Sequence, residues 1–214
     1  MSGLAIREAQ ILTAWFSPGY PVGAYSYSHG LEWAVDTGAV ADATGLADWV
    51  ADVVAEGAGR TDAILLAHAM TAADPAPVAA LAAALAPSSE RQLETMAQGA
   101  AFARVTAAAY GIAVDPLPYP VAVGVAARAL GLPVGPTAGL FVGAFAANLV
   151  SAGVRLVPVG QTDGQRILAD LMPLVARVAA DAVTRGLDEV GGATVAADVA
   201  SMLHETQYSR LYRS

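Results

Sequence analysis

Three histidines are the residues of this chain that are best suited to bind a metal ion or transfer a proton at neutral pH. They are His29, His68 and His204, and none belongs to an H-E-x-x-H or comparable zinc pattern. The chain contains no cysteine, which excludes thiolate ligands and a cysteine nucleophile. We therefore expect no stable metal site, and we interpret His68, among apolar residues of a helix, as a structural histidine.

The sequence also contains no motif for a serine nucleophile or for phosphate binding. Ser26, Ser28 and His29 lie close together, but no G-x-S-x-G elbow is present and no acid is placed to orient the histidine. We interpret this stretch as a polar loop whose hydroxyls bond its own backbone. The glycine-containing stretches at 134–139 and 160–165 lack the P-loop pattern and its lysine. The motifs therefore predict that the chain is not a nucleotidase.

Composition limits the partners and the compartment. The chain has 214 residues, of which 56% are hydrophobic and 14% charged, and its net charge is −8. All 11 basic residues are arginines, and acidic residues outnumber them, so nucleic-acid binding is disfavoured. Arg7 and Glu8 interrupt the apolar run that a signal peptide needs. We expect a cytoplasmic protein with no nucleic-acid partner.

The apolar spacing is helical nearly throughout, with glycine and proline between the helices, and it predicts an all-α, compact single-domain bundle over residues 1–214. Further helices are predicted to begin at Thr61-Asp62, at Thr137 and at a T-x-x-Q cap formed by Thr162 and Gln165. Three prolines make 114–120 a loop. One helix has the i, i+3, i+4, i+7 spacing of an amphipathic face behind a cap at Asp42 or Thr44, with core residues Leu46, Trp49, Val50, Val53 and Val54.

The helix that follows Ser89 has two features of interest. Ser89 and Gln92 have capping-box spacing, which predicts that the helix begins there and runs toward Tyr110-Gly111. We expect its apolar residues to face the core, namely Leu93, Met96, Ala97, Ala100 and Val105.

Residues 138–154 are uncharged and almost wholly apolar, and their number is close to the lower limit for a membrane-spanning helix. Small residues, Asn148 and Ser151 weaken this reading, and no basic cluster flanks the segment. We therefore favour a core helix over a membrane span. A helix that is apolar all round must be covered by other helices or by a partner subunit.

Two segments have compositions typical of recognition surfaces. Residues 17–33, SPGYPVGAYSYSHGLEW, place aromatic residues among prolines and glycines. The segment 204–214, HETQYSRLYRS, gathers tyrosine and arginine, the residue types that dominate binding hot spots. We expect the first to be a recognition loop or a loop folded onto its own core, and the second to be a tail that becomes ordered on a partner.

These segments resemble a known family, the urease accessory protein UreF. Residues 17–33 are similar to its N-terminal signature, ANLVSAGVRLVPVGQTDGQRIL at 147–168 is similar to its central motif, and 204–214 is similar to its C-terminal end. The resemblance implies an all-helical homodimer that is not an enzyme and has no cofactor, and that binds the accessory scaffold UreD (or UreH). The scaffold in turn recruits the GTPase UreG, so that nickel is loaded into the urease apoprotein.

The resemblance also implies site residues. Tyr25 and Arg210 are the leading candidates for GTPase recruitment, and Glu32, with His29 close by, is a candidate to line a passage for nickel. The partner-binding set carried over from the motifs is Tyr25, Ser26, Tyr27, Gln161, His204, Glu205, Gln207, Tyr208, Arg210, Leu211, Tyr212 and Arg213.

Two departures from the family pattern matter for these roles. A glutamine is common in the family where His29 stands. Its imidazole either contacts nickel or lies on the surface, and we favour the surface position. Residues 90–98 carry fewer basic residues than the family pattern, which weakens a role for that helix in GTPase contact. A rival hypothesis is that Arg210 or Arg213 acts as an arginine finger on the GTPase.

Overall fold

The computed structural model describes residues 4–214 as α-helices joined by loops and two short 3₁₀ turns, with no strand in this range. This confirms the all-α prediction. The helices are α1 (Ile6–Trp15), α2 (Leu31–Asp36), α3 (Ala43–Ala55), α4 (Ala58–Thr71), α5 (Ala76–Ala84), α6 (Ser89–Tyr110), α7 (Tyr119–Ala129), α8 (Val134–Leu156), α9 (Gln161–Ala182) and α10 (Val195–His204).

Local sequence signals explain several of these helices. The side chain of Asp42 accepts a hydrogen bond from the Gly45 amide at 2.9 Å and so caps α3, one of the two caps predicted. Behind that cap, α3 buries the face formed by Leu46, Val50, Val53 and Val54. The proline-rich stretch 114–120 remains a loop until α7 begins at Tyr119.

One cluster of buried apolar side chains extends from Ile11 to Tyr212, and α8 lies at its centre. This helix packs against α3, α4 and α9, and it buries Val142 and Leu149 completely. It is also the one helix of residues 4–214 that is long and apolar enough to cross a membrane, and half of its apolar stretch is buried within the protein. The inner face of α8 therefore belongs to the core, whereas its outer face is not covered by this chain.

Three predicted helix starts are wrong. Helix α4 begins at Ala58, before Thr61, because Gly59 lets its first turn approach α3: a Cβ at Gly59 would lie 2.7 Å from the Val54 carbonyl oxygen. Helix α8 begins at Val134, directly after Pro133, and not at Thr137. Helix α9 begins at Gln161 with Gly160 as its N-cap, so both Thr162 and Gln165 lie inside the helix and neither caps it.

The orientation of α6 also differs from the prediction. Ser88 caps this helix by accepting a hydrogen bond from the Arg91 amide, and Leu93 of the predicted core stripe is 66% exposed. The helix is turned so that Gly99 packs on the loop before α7, where a Cβ would lie only 1.8 Å from the Leu117 carbonyl oxygen. Much of its buried face is consequently polar, and comprises Arg91, Glu94, Thr95, Gln98, Gly99, Phe102, Ala103 and Thr106.

Candidate functional site

The loop that precedes α2 is fixed in place by α8 and α10. The amide of Asn148 on α8 donates a hydrogen bond to the Ala24 carbonyl at 2.9 Å. His29 and Gly30 have φ values of 54° and 75°, which form the sharp turn into α2. A Cβ at Gly30 would lie 2.7 Å from the Ser201 amide nitrogen, so a glycine is required for the approach of this turn to α10.

Glu32 on α2 joins the N-terminal loop to the segment 204–214. Its two carboxylate oxygens accept hydrogen bonds from the backbone amides of Leu211 and Tyr212, at 2.7 and 2.9 Å. The Nε2 atom of His204 lies 3.1 Å from the same carboxylate. Glu32 is buried, and two of its three contacts come from the segment that follows α10.

His204, which is fully buried, lies between two carboxylates. Its Nδ1 atom is 2.6 Å from Oε2 of Glu90 on α6, opposite the contact with Glu32. Each ring nitrogen of His204 thus faces a carboxylate oxygen. The other oxygen of Glu90 accepts a hydrogen bond from the Arg210 guanidinium at 2.5 Å. Glu90 therefore holds α10 and the terminal segment together.

The rest of the segment is paired with the N-terminal loop. The amide of Arg213 donates to the Ser26 carbonyl at 2.8 Å, and the amide of Ser28 donates to the Ser214 carbonyl at 2.7 Å. The Ser214 hydroxyl bonds Glu94 on α6 at 2.8 Å. Tyr212 is also buried. These contacts revise the expectation for 204–214: the segment is docked on its own chain, because buried carboxylates and loop backbone groups satisfy its polar groups without a partner.

His29 lies in a buried ion cluster on the inner face of α6. Its Nε2 atom is 3.0 Å from both the Arg91 guanidinium and the Glu94 carboxylate, and those two side chains form an ion pair. Only 6% of His29 is exposed, so the predicted surface position is wrong: the left-handed turn directs the ring inward, against Phe145.

The ionisation of this cluster follows from its burial and its charges. Burial and then Arg91 lower the pKa of His29, whereas Glu94 opposes them, so the ring is neutral at pH 7. Burial alone would raise the pKa of Glu94, but Arg91 and His29 outweigh it and lower this pKa to about 2. The carboxylate of Glu94 is therefore ionised over the physiological range.

The other predicted site residues are distributed more widely. Tyr25 is 67% exposed beside Ser26, whereas Tyr27 is buried. Glu205 accepts hydrogen bonds from the amide and hydroxyl of Ser89, both at 2.7 Å. Gln207 is half-buried after α10. Gln161 is exposed at the start of α9 and makes no hydrogen bond to the network around Glu32, so the structure does not bring it to this site.

Sequence reasoning missed three members of the network. They are Glu90, Arg91 and Glu94. From the sequence, this stretch was considered only for its small number of basic residues. Their signal was the spacing of Arg91, Glu94 and Gln98, which places a cation, an anion and an amide on one face of a helix. His68, which was predicted to be structural, donates from Nε2 to the Arg185 carbonyl at 2.8 Å and joins α4 to the residues that follow α9.

The predicted nickel-passage residues have protein partners. Glu32 contacts three groups of the segment and α10, and His29 contacts Arg91 and Glu94. Between residues 4 and 214, no group of three or more His, Asp or Glu side chains is arranged to hold a metal ion.

Asp62 on α4 lies near the same ion cluster, and its environment yields a stability prediction. Burial raises the pKa of this carboxyl to about 6; Arg91 opposes the rise and Glu94 adds to it. The folded pKa is above the unfolded one, so the charge costs stability as pH rises from about 4 to about 6, and the cost is complete at pH 7. We expect Asp62→Asn to stabilise the protein by about 1–3 kcal/mol at pH 7 and by less than about 0.5 kcal/mol at pH 4, measured by urea unfolding.

Asp163→Asn is the matched control, because Asp163 is an exposed carboxylate paired with Arg166. It should change the stability by less than about 0.5 kcal/mol at either pH. Destabilisation by Asp62→Asn at pH 7 would show that the Asp62 carboxylate has a favourable partner, and would contradict the account.

Fold and site together define a class: an all-α protein in which buried ionic groups hold an N-terminal loop and a C-terminal segment as one surface. The sequence model of the UreF family matches residues 40–172. The urease accessory protein UreF of Cereibacter sphaeroides strain KD131 is 55% identical over 95% of this chain and 97% of its own length. Those of Roseobacter denitrificans and Rhodopseudomonas palustris strain HaA2 are 51% and 48% identical, each over 95% of this chain and 92% of their own length. The chain belongs to the UreF family of urease accessory proteins.

Proposed function

We propose that this chain is a cytoplasmic, non-enzymatic adaptor of urease maturation. It binds the scaffold UreD (or UreH), recruits the GTPase UreG, and through that complex supports nickel insertion into the urease apoprotein. One observation carries the proposal: the two segments with recognition composition form a single surface. The backbone bond from Arg213 to Ser26 brings the terminal segment beside Tyr25.

The GTPase-recruiting part of this surface comprises Tyr25, Arg210 and Arg213. Tyr25 is exposed and offers a large contact area with few rotatable bonds. Arg210 is fixed by Glu90 through one terminal nitrogen, which leaves donors of its guanidinium for a partner. A side chain that is already ordered loses less entropy when it binds.

The scaffold-binding part is the outer face of α10 with the residues that follow it. Val195, Val199 and Met202 are exposed at i, i+4 and i+7, the spacing with which an amphipathic helix docks into an apolar groove. Tyr208 and Leu211, in the segment that follows α10, are also exposed. Contiguous exposed apolar side chains are typical of an interface with another protein.

The homodimer of this proposal uses the outer face of α8. Cβ atoms at Gly135 and Gly139 would meet no atom within 4 Å, so a second helix is able to approach closely there. Leu140 on α8 and Met172 on α9 are exposed apolar residues. Half of the apolar stretch of α8 is left uncovered by its own chain, which a second copy of the chain would bury.

In the assembled complex, nickel is the transferred metal ion and not a cofactor of this chain. The carboxylate of Glu32 is held by the terminal segment, and no group of metal-binding side chains is formed by the described residues. A transient passage along Glu32 therefore requires the amides of Leu211 and Tyr212 to leave the carboxylate. The chain would contribute to nickel transfer by assembling the complex rather than by storing the metal ion.

The test of the proposal uses Tyr25→Ala and Arg210→Ala, with Ile6→Ala as a control at another exposed apolar residue. We expect both surface variants to bind the scaffold as the parent does. They should bind the GTPase at least about tenfold more weakly, as is typical of hot-spot truncations. Size-exclusion chromatography with light scattering and a titration of the GTPase measure the two steps. Wild-type GTPase binding by both variants would contradict the proposal.

Arg210→Ala also tests the arginine-finger alternative. Loss of a finger lowers the rate of GTP hydrolysis by about 10³–10⁵ while the complex still forms. The pairing of Arg210 with Glu90 favours recruitment, because the guanidinium is held against its own chain. We therefore expect Arg210→Ala to reduce complex formation.

A further inference from the structure

We propose that the cavity which residues 15–25 form with α6 and α8, here called the aromatic cavity, is a binding site for a small organic cation. The ligand class is a flat aromatic ring that carries an amidine or guanidine group, with the cation directed to the carboxylate of Asp62. This inference concerns the chain by itself, and it holds whether or not the chain recruits a GTPase.

The aromatic cavity has the size and the wall of a small-molecule site. Its volume is about 450 Å³, within the range of about 300–1,000 Å³ that is usual for such sites. Aromatic side chains form part of its wall, among them Trp15, Phe16, Tyr20, Tyr119, Phe141 and Phe145. Aromatic rings pack on an aromatic ligand through edge and offset contacts, and their faces attract a cation.

One carboxyl on the wall of the aromatic cavity has no partner. Asp62 on α4 lines this cavity and also a smaller one of about 90 Å³ that is bounded by α3, α5 and α10. No hydrogen bond or ion pair joins its carboxyl to another of residues 4–214. The nearby Arg91 and Glu94 pair with each other, and Arg155, the other arginine on the wall, is exposed and bonds Ser151. A ligand that brings forked, charged donors would satisfy both oxygens of Asp62.

The charge of Asp62 suits a cationic ligand. Burial raises the pKa of this carboxyl to about 6, with Arg91 opposing the rise and Glu94 adding to it, so the carboxylate is ionised at pH 7.5 but destabilised. Burial also raises the pKa of the Tyr119 hydroxyl, and Tyr20 and then Asp62 add to that rise. The negative potential of Asp62 therefore extends to the aromatic wall. A bound cation offsets this potential, whereas an anion increases it.

The wall of the aromatic cavity is held in place without a ligand. The hydroxyl of Tyr20 lies 2.8 Å from the hydroxyl of Thr106 on α6, at hydrogen-bond distance. Phe16 and Tyr119 pack on Phe141, with ring centroids 5.9 and 5.5 Å from the centroid of that ring. A site that is formed in advance loses less entropy when its ligand binds.

The test uses the full chain at pH 7.5 and three probes of similar shape: benzamidine, a cation; benzamide, which is neutral; and benzoate, an anion. Binding is followed by NMR through the indole N–H signals, because Trp15 lines the aromatic cavity whereas Trp33 and Trp49 do not. Trp33→Phe and Trp49→Phe variants assign these signals. We expect benzamidine to shift the Trp15 signal saturably and to bind at least about tenfold more tightly than benzamide, with no saturable binding of benzoate.

Asp62→Asn is the variant that tests the role of the charge. It keeps the shape of the side chain, and since we expect it to stabilise the protein, a loss of binding would not reflect unfolding. Its affinity for benzamidine should fall at least about tenfold, while its affinity for benzamide should stay within about threefold of the parent. Asp163→Asn, at an exposed carboxylate, should keep the preference of the parent for benzamidine.

The outcomes are distinct. A preference for benzamidine that depends on Asp62 and shifts the Trp15 signal supports the proposal. Absence of saturable binding, or equal binding of benzamidine and benzamide by the parent, overturns it. An unchanged preference in Asp62→Asn also overturns it, as does binding that shifts the Trp33 or Trp49 signal without the Trp15 signal, because the ligand would then lie elsewhere.

Discussion

Glu94→Gln is expected to lower the free energy of unfolding by about 3–5 kcal/mol at pH 7, the cost of breaking a buried ion pair from one side. Glu94 is buried and binds Arg91, Gln98 and Ser214. The substitution keeps the shape of the side chain but leaves the buried Arg91 guanidinium without its anion. Urea unfolding followed by circular dichroism measures the change.

The pH dependence of this effect has a definite sign. The pKa of Glu94 is lowered to about 2 in the folded protein, so its carboxylate stabilises the fold above the unfolded pKa, near 4, and this contribution is lost as pH falls toward 2. The difference in the free energy of unfolding between the parent and Glu94→Gln should therefore be largest at pH 7 and should decrease below pH 4. An equal difference at pH 7 and pH 3 would contradict an electrostatic origin.

Replacement of both partners is the matched control. Arg91→Met with Glu94→Met removes the pair and leaves no buried charge on either side chain. Replacement of a buried ion pair by apolar groups is often neutral or stabilising. The double variant should therefore be more stable than Glu94→Gln at pH 7. A double variant that is less stable would show that hydrogen bonds to Ser214 and Gln98, rather than the charge pair, dominate the contribution of Glu94.

Deletion of residues 208–214 is expected to abolish recruitment of the GTPase and to weaken scaffold binding. It removes Tyr208 and Leu211 from the proposed scaffold surface and Arg210 from the proposed GTPase surface. Few side chains of this segment are buried, so the helices should remain folded. Recruitment of the GTPase should be lost, and scaffold binding should fall by at least about tenfold, since several contact residues disappear together.

A milder variant separates docking of the segment from partner contact. Tyr208→Ser with Leu211→Ser changes only exposed side chains and leaves the backbone bonds to Glu32 intact. It should keep the stability within about 0.5 kcal/mol of the parent. Weakened scaffold binding by this variant would assign the loss to the partner surface rather than to disorder of the segment.

Local signals were sufficient to predict much of the fold. The cap at Asp42 and the apolar spacing behind it act within one helix, and three prolines in 114–120 prevent a helix whatever surrounds them. The composition of 204–214 likewise marked an unusual segment. These features depend on residues close together in the sequence, which is why they could be predicted from it.

Long-range contacts determined what the sequence did not reveal. The side of α6 that faces inward depends on the approach of Gly99 to Leu117, and the buried position of the loop residue His29 depends on Arg91 and Glu94 of α6. The docking of the terminal segment depends on Glu32, which is far away along the chain. Charged residues on a helix normally indicate solvent, so a polar inner face is hidden from a single sequence.

The most direct test of the adaptor account is co-purification of the intact chain, and of the chain without residues 208–214, with the cognate scaffold and GTPase. Size-exclusion chromatography with light scattering gives the composition of each complex. The account predicts an equimolar complex of the three proteins for the intact chain and no GTPase in the sample with the truncated chain. Equal GTPase content with both chains, or no complex with the intact chain, would contradict it.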